Sequence, residues 1–374
     1  MKPLSLVASV AGAAIIVLAG CSSAGSPSSA LGYTGLSAAQ PGAHFFGKPP
    51  VPFITAHAFK PHRDRSKSWF SPKLKAVQAD RILFAVDSGS YDVYMYAIPS
   101  FALLGTITGL DFPQGACGDN HGNVWIAVTY GEQIVEYGHD GSVVNTLSDP
   151  TGLPVGCAYD RTTGNLAVTN IFNNGGSEQV GAVLIYPHAT GTPTSYTDPD
   201  IEYYYSAGYD THGNLFVDGE GYYPNYAFVL GELTSGSITT IPITGGTLYD
   251  PANVQWDNPK QRLLVGDQEC GGTTDPEVSC VYSIQLAGSS GTITGVTSLN
   301  NSLGAPACDV VQTIRAGNTL WGGDFEYPSE SGYGCSSGGS ASEAFYRWNF
   351  HVGGNPRGSS ANSLEVPDGV AISY

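Results

Sequence analysis

Acidic and amide side chains recur in this chain at one kind of place. Asp87, Asn170, Asp218 with Glu220, Asp267 with Glu269, and Asp324 with Glu326 each close a short apolar run, and the runs repeat. Oxygens from several such residues converging on one point would suit a hard cation such as Ca2+, with Asp218, Asp267 and Asp324 as its ligands. The same placement fits a structural role, in which each Asp caps its own strand-to-loop turn by accepting bonds from backbone N–H groups. Tyr222 and Tyr223 set aromatic faces beside these carboxylates, a combination that suits a carbohydrate ligand or a protein partner. The eight His are dispersed, most of them in turns or near the N-terminus, and only six Lys or Arg follow residue 82. Acid–base chemistry on gathered His, Arg or Lys therefore has no footing. No catalytic residue is assigned, and no cofactor is expected beyond Ca2+.

The elements that must position these residues are written in a repeat. Pro113-Gln114-Gly115-Ala116-Cys117-Gly118-Asp119 leads through Gly122-Asn123 to Val124-Trp125-Ile126-Ala127-Val128. Pro154 to Asp160 leads through Gly164-Asn165 to Leu166-Ala167-Val168, and Ser206 to Asp210 through Gly213-Asn214 to Leu215-Phe216-Val217. Each unit is an apolar run, an Asp-to-Gly turn and a second apolar run, which is the signature of a β-hairpin. Weaker copies start at Pro251 and Pro306, and a sixth is split between Pro367–Tyr374 and Arg81–Asp87. Recurrence at this period predicts an all-β, six-bladed β-propeller over 79–374, closed by pairing of the C-terminal strand with the first blade. An open solenoid or a sandwich is the alternative. Long insertions after the second strand of blades three to six fall on the face that also carries the carboxylates, where a rigid scaffold would display binding loops.

Residues 1–21 read as an export signal. Lys2 precedes an apolar stretch from Leu4 to Leu18, and Leu18-Ala19-Gly20-Cys21 resembles the bacterial lipobox. The resemblance implies cleavage before Cys21 and lipidation of its thiol, so that the mature chain is exported and anchored to the cell membrane, at the outer membrane if the cell has two. Residues 22–78 read as a flexible, partly basic tether. Charge divides sharply: nine Lys/Arg against two Asp/Glu through residue 82, then six against thirty, or +7 and −24. So acidic a propeller would repel phosphates and excludes nucleic acid as a partner.

Six Cys remain after Cys21, an even number that in an exported chain points to disulfides. Cys270 and Cys280 flank one loop of blade five. Cys117 and Cys157 stand at offsets of opposite parity in neighbouring repeats, so they face each other across a blade interface. Cys308 and Cys335 then pair by remainder.

The repeat with its Gly-Asn-(Val/Leu) core resembles the NHL-type six-bladed propeller group. Trp69-Phe70-Ser71-Pro72 and Gly213 to Gly219 are similar to exported bacterial repeat lipoproteins of unassigned activity. The expected function is a non-enzymatic binding or scaffold module of the cell envelope, acting through the acidic, aromatic, loop-rich face. The alternative is a divalent-metal hydrolase or lyase of the lactonase kind. Lactonase relatives hold a central metal with a Glu, Asn residues and an Asp, a set that has no residue-by-residue counterpart here.

Overall fold

The computed structural model describes residues 67–74, 81–173, 180–222, 224–270, 278–325, 343–360 and 364–374. Strands arrange as six antiparallel sheets around one axis. Blade 1 runs outward from β26 (Pro367–Ser373) through β2 (Ile82–Asp87), β3 (Asp92–Ala97) and β4 (Ala102–Ile107) to β1 (Trp69–Phe70). Blade 2 is β5 (Pro113–Gly118), β6 (Val124–Val128), β7 (Gln133–Tyr137) and β8 (Val143–Ser148). Blade 3 is β9 (Gly152–Tyr159), β10 (Leu166–Asn173), β11 (Ala182–Tyr186) and β12 (Thr194–Tyr196). Blade 4 is β13 (Tyr203–Tyr209), β14 (Leu215–Glu220), β15 (Phe228–Thr234) and β16 (Ser237–Thr240). Blade 5 is β18 (Pro251–Asp257), β19 (Arg262–Asp267), β20 (Cys280–Ala287) and β21 (Ser290–Ser298), with β17 (Ile243–Thr244) added in parallel at its outer edge. Blade 6 is β22 (Thr313–Ala316), β23 (Thr319–Asp324), β24 (Ala344–Asn349) and β25 (Gly358–Ser359).

The ring closes as expected: Leu83 pairs with Ile372 and Ala85 with Val370, so the C-terminal strand supplies the innermost strand of blade 1. Trp69 and Phe70, assigned to the tether from sequence, pair with Thr106 and Gly105 at the outer edge of the same blade.

Two-residue periodicity explains why the second strands are apolar on both faces. Ile82, Phe84 and Val86 join Val124, Ile126 and Val128 of blade 2, whereas Leu83 and Ala85 join Trp321 and Phe345 of blade 6. Every strand in the middle of a blade is sandwiched between two blades, so alternation produces burial on each side rather than one wet face. Close approach near the axis explains the Pro-x-Gly of the innermost strands. A Cβ on Gly156 would stand 2.5 Å from the Tyr205 carbonyl oxygen of the next blade, and Gly115 and Gly369 are equally hemmed in. The Asp-to-Gly turn also has a local cause. Asp160 Oδ1 accepts from Thr162 N at 2.8 Å, Asp210 Oδ1 accepts from His212 N and Asn214 N at 2.7 and 2.9 Å, and the Gly that follows has φ of +80° or +84°.

One element departs from the sequence reading. Pro306–Val311 was expected to form the innermost strand of blade 6, yet the ladder begins only at Thr313. Backbone groups of that segment turn instead to side chains: Cys308 N donates to Asp324 Oδ1 at 2.9 Å and Val310 N to Ser279 Oγ at 3.0 Å. Asp309, at φ 45°, interrupts the extended backbone between them.

Two disulfides are as expected. Cys117–Cys157 spans the blade 2–blade 3 interface with a Cα–Cα distance of 5.6 Å, and Cys270–Cys280 closes the loop of blade 5. Cys308 is also disulfide-bonded, while Cys335 lies outside the described residues. Linking chain positions 40 residues apart should stabilise the ring by about 4 kcal/mol on the chain-entropy model. The double variant Cys117→Ser, Cys157→Ser is expected to lose most of that in urea unfolding. Non-reducing peptide mapping that found both thiols free in the exported protein would contradict the link.

Candidate functional site

The two ends of the ring differ in chemistry. Innermost strands start, and second strands finish, at the end that bears the loop insertions. There Asp87 Oδ1 accepts from Val366 N at 2.6 Å and Oδ2 from Glu365 N at 3.0 Å. Asp218 Oδ1 accepts from Ser206 N at 2.8 Å. Asp267 accepts from Tyr249 N, Asp250 N and Glu269 N at 3.1, 3.0 and 2.9 Å. With Asp324 on Cys308 N, the pattern recurs in four blades: the last Asp of the second strand ties down the chain as it enters its own blade. Asn170 occupies the corresponding place in blade 3, fully buried opposite Pro154.

These carboxyls are out of water, and burial raises their proton affinity. It lifts Asp87 and Asp267 above the usual carboxylate range and Asp218 to about 7, with accepted backbone N–H bonds pulling the other way. Glu220, also fully buried, is pushed up further by Glu269 and Glu202 beside it. Among the described residues no group of three His, Cys, Asp or Glu is arranged to hold a metal ion. Tyr222 is 43% exposed on this face. Cys21, Tyr223 and Glu326 lie outside the described residues.

Below this mouth the axis is nearly shut. A cavity of about 40 Å3 lies between Gln114, Val155, Tyr205, Val311 and Asp368. Gln312 bounds it: its Oε1 accepts from Ala116 N and Val370 N at 3.1 and 2.9 Å, and its Nε2 donates to Ala116 O at 2.8 Å. One side chain of blade 6 thus reaches across the centre to blades 1 and 2.

Beyond Gln312 the axis opens into a funnel of about 440 Å3 at the face opposite the loops. Its wall is set by one position of the repeat, the residue paired with the first apolar residue of the second strand. That position holds Gly118, Tyr159, Tyr209, Trp256 and Arg315 in blades 2 to 6. In blade 1 it is Ser373, which is buried, and the wall there is made by its neighbours Ile372 and Tyr374. Three successive blades therefore present an aromatic arc, blade 6 an Arg, blade 1 Ile372 and Tyr374, and blade 2 a Gly. Arg161, Thr162, Thr211 and Asn258 from the short turns complete the rim. Trp256 is braced by stacking on Phe216 at 6.1 Å. Arg315 is braced by Asp257, which also takes Arg262 Nε at 3.0 Å, and lies 4.5 Å over the Phe350 ring.

Charge follows the same axis. Every Lys and Arg from residue 81 onward lies toward the funnel end. Arg81 immediately precedes β2 and Arg262 begins β19, Arg161 and Lys260 sit in turns, Arg315 is the penultimate residue of β22, and Arg347 and Arg357 belong to the funnel-side half of blade 6. The loop end holds Asp87, Asp218, Glu220, Asp267, Glu269 and Asp324 and none of these cations.

The ring is a six-bladed β-propeller. A chain in the crystal structure of a nidogen/laminin complex superposes with a TM-score of 0.57 at 11% identity, over 79% of this chain and 98% of that one. A protein of unknown function from Bacteroides caccae superposes with a TM-score of 0.53 at 11% identity, over 79% and 99%. At such identity the likeness is one of fold alone. No family model and no curated protein matches the sequence.

Sequence reasoning gathered the loop-end carboxylates but overlooked the funnel. Its signal was present: Tyr159-Asp160, Tyr209-Asp210 and Trp256-Asp257 put an aromatic residue immediately before the turn Asp in three consecutive repeats. Such residues are ordinarily counted as core, and only the ring shows that this position faces the axis.

Proposed function

We propose that the chain is an exported, lipid-anchored binding module of the cell envelope, and that the axial funnel is its ligand site. The arc of Tyr159, Tyr209 and Trp256 carries this reading, because a concave site of about 440 Å3 with braced aromatic walls and a polar rim has the dimensions and make-up of a small-ligand pocket. Lipidation at Cys21 rests on the lipobox resemblance, and the disulfides fit an oxidising compartment. Among the described residues no helix is long and apolar enough to span a membrane. Cys21→Ser is expected to shift the protein from the membrane to the soluble fraction or leave its leader uncleaved. Unchanged fractionation with normal processing would remove the anchor from the proposal.

A second reading places binding on the acidic loop face, on the strength of exposed Tyr222. A printed panel of neutral and acidic oligosaccharides and peptides, probed with the full chain, separates the two. Thr211→Trp fills the rim from an exposed turn without touching the core. It should weaken a panel ligand at least tenfold, whereas Tyr222→Ala should leave it unchanged. The reverse pattern transfers binding to the loop face, and an empty panel counts against a binding module.

A further inference from the structure

We infer that the funnel takes an acidic saccharide, a short oligosaccharide whose end residue carries a carboxylate or sulfate. This rests on the funnel being the ligand site and adds the class of ligand. The aromatic arc covers three adjacent blades, and the turns of the same blades set Thr162, Thr211 and Asn258 on the rim above it. A pyranose ring is amphipathic in the same sense: its C–H face packs on an aromatic side chain while its hydroxyls reach donors and acceptors such as Thr162, Thr211 and Asn258. The closed floor at Gln312 admits the end of a chain rather than its middle and offers no channel for a long acyl tail.

Electrostatics selects the acid. Arg161 and Arg315 line the funnel from blades three apart; Arg161 is exposed, while the Arg315 guanidinium is held by Asp257 over the Phe350 ring. Asp257 answers two guanidinium groups, Arg262 and Arg315, with one charge, leaving a net positive trio. Among the described lining residues the acidic side chain is Asp210, whose Oδ1 accepts from His212 N and Asn214 N and whose Oδ2 accepts from Asn214 Nδ2. The propeller carries a large excess of acids, and the cations it does have are collected at the funnel end, among the turn Asp residues. Aromatic faces alone would accept a neutral sugar as readily; the exposed Arg161, with the net positive trio opposite, is what discriminates.

Trigalacturonate and its fully methyl-esterified form share a shape and differ in charge, and titration calorimetry with the full chain at low salt compares them. The acid should bind at least tenfold more tightly, and its advantage should shrink as NaCl rises. Arg161 is an exposed turn residue, so Arg161→Gln should leave the melting temperature unchanged, cut affinity for the acid about tenfold and spare the ester. Thr211→Trp should abolish both. Equal binding of acid and ester, or an acid preference that survives both variants, overturns the inference. If neither sugar binds while another panel ligand is lost in Thr211→Trp, the saccharide assignment fails and the funnel stands. If nothing binds at all, both fail.

Discussion

Removal of residues 367–374 is expected to abolish cooperative folding of the ring. β26 is buried along its whole length, and Val370 and Ile372 bridge blade 1 to blade 6. Two such side chains are together worth about 3–6 kcal/mol of burial, and the ladder to β2 is lost with them. Domains of this kind are stable by only about 5–15 kcal/mol, so the truncation removes a large share of the total and bares the β2 edge to pairing with other chains. Loss of near-UV circular dichroism and of a sharp melting transition is the readout. Ser373 lies directly opposite Ile82, so a circular permutant that carries the segment ahead of β2 through a short turn should restore both signals. A truncated chain that melts within two degrees of the parent would show that blade 1 holds without its innermost strand.

The second large effect concerns Asp218 and pH. Its carboxyl is fully buried, Oδ2 has no hydrogen-bond partner, and burial raises its pKa from 3.8 to about 7. A folded-state pKa above the unfolded one means that the folded chain holds the proton more tightly. The stabilisation is complete below pH about 3.8 and is lost as pH climbs through 7. At pH 8.5 the buried charge should cost the parent about 2–4 kcal/mol relative to mild acid. Asp218→Asn keeps the Oδ1 acceptor for Ser206 N and cannot ionise. The variant should match the parent near pH 4.5 and exceed it at pH 8.5 by about that amount in urea midpoints. Asp267→Asn should behave oppositely. Both Asp267 oxygens already accept N–H groups, so an amide there opposes donor to donor and costs about 1–3 kcal/mol at either pH. Parallel pH profiles for parent and Asp218→Asn would refute the raised pKa. Carboxyls held by backbone N–H groups act as latches on their blades, which is the structural role the repeated Asp allowed from the start.

Much of this protein is legible in its sequence because the repeat encodes local events. An Asp with a Gly a few residues later specifies a turn through hydrogen bonds only a few residues long, as at Asp160 and Asp210, and apolar runs on either side specify the hairpin. Six copies, one of them split between the chain ends, specify the ring and its closure. The parity of Cys117 and Cys157 was enough to set them face to face, since alternation in a strand is a property of the strand alone.

What the tertiary structure decided is everything that depends on distance from the axis. Pro306–Val311 has the apolar character of an innermost strand, yet Asp324 and Ser279 compete successfully for its backbone N–H groups, and no local pattern records that competition. The carboxylates of the loop end are aligned in sequence as a cation site would be, but Asp87, Asp218, Asp267 and Asp324 each accept from backbone N–H groups of the chain entering their own blade. Tyr159, Tyr209 and Trp256 are indistinguishable from core residues until the ring curves. Curvature brings equivalent positions of successive blades around one funnel, and it sets Arg161 opposite Arg315 although 154 residues separate them along the chain.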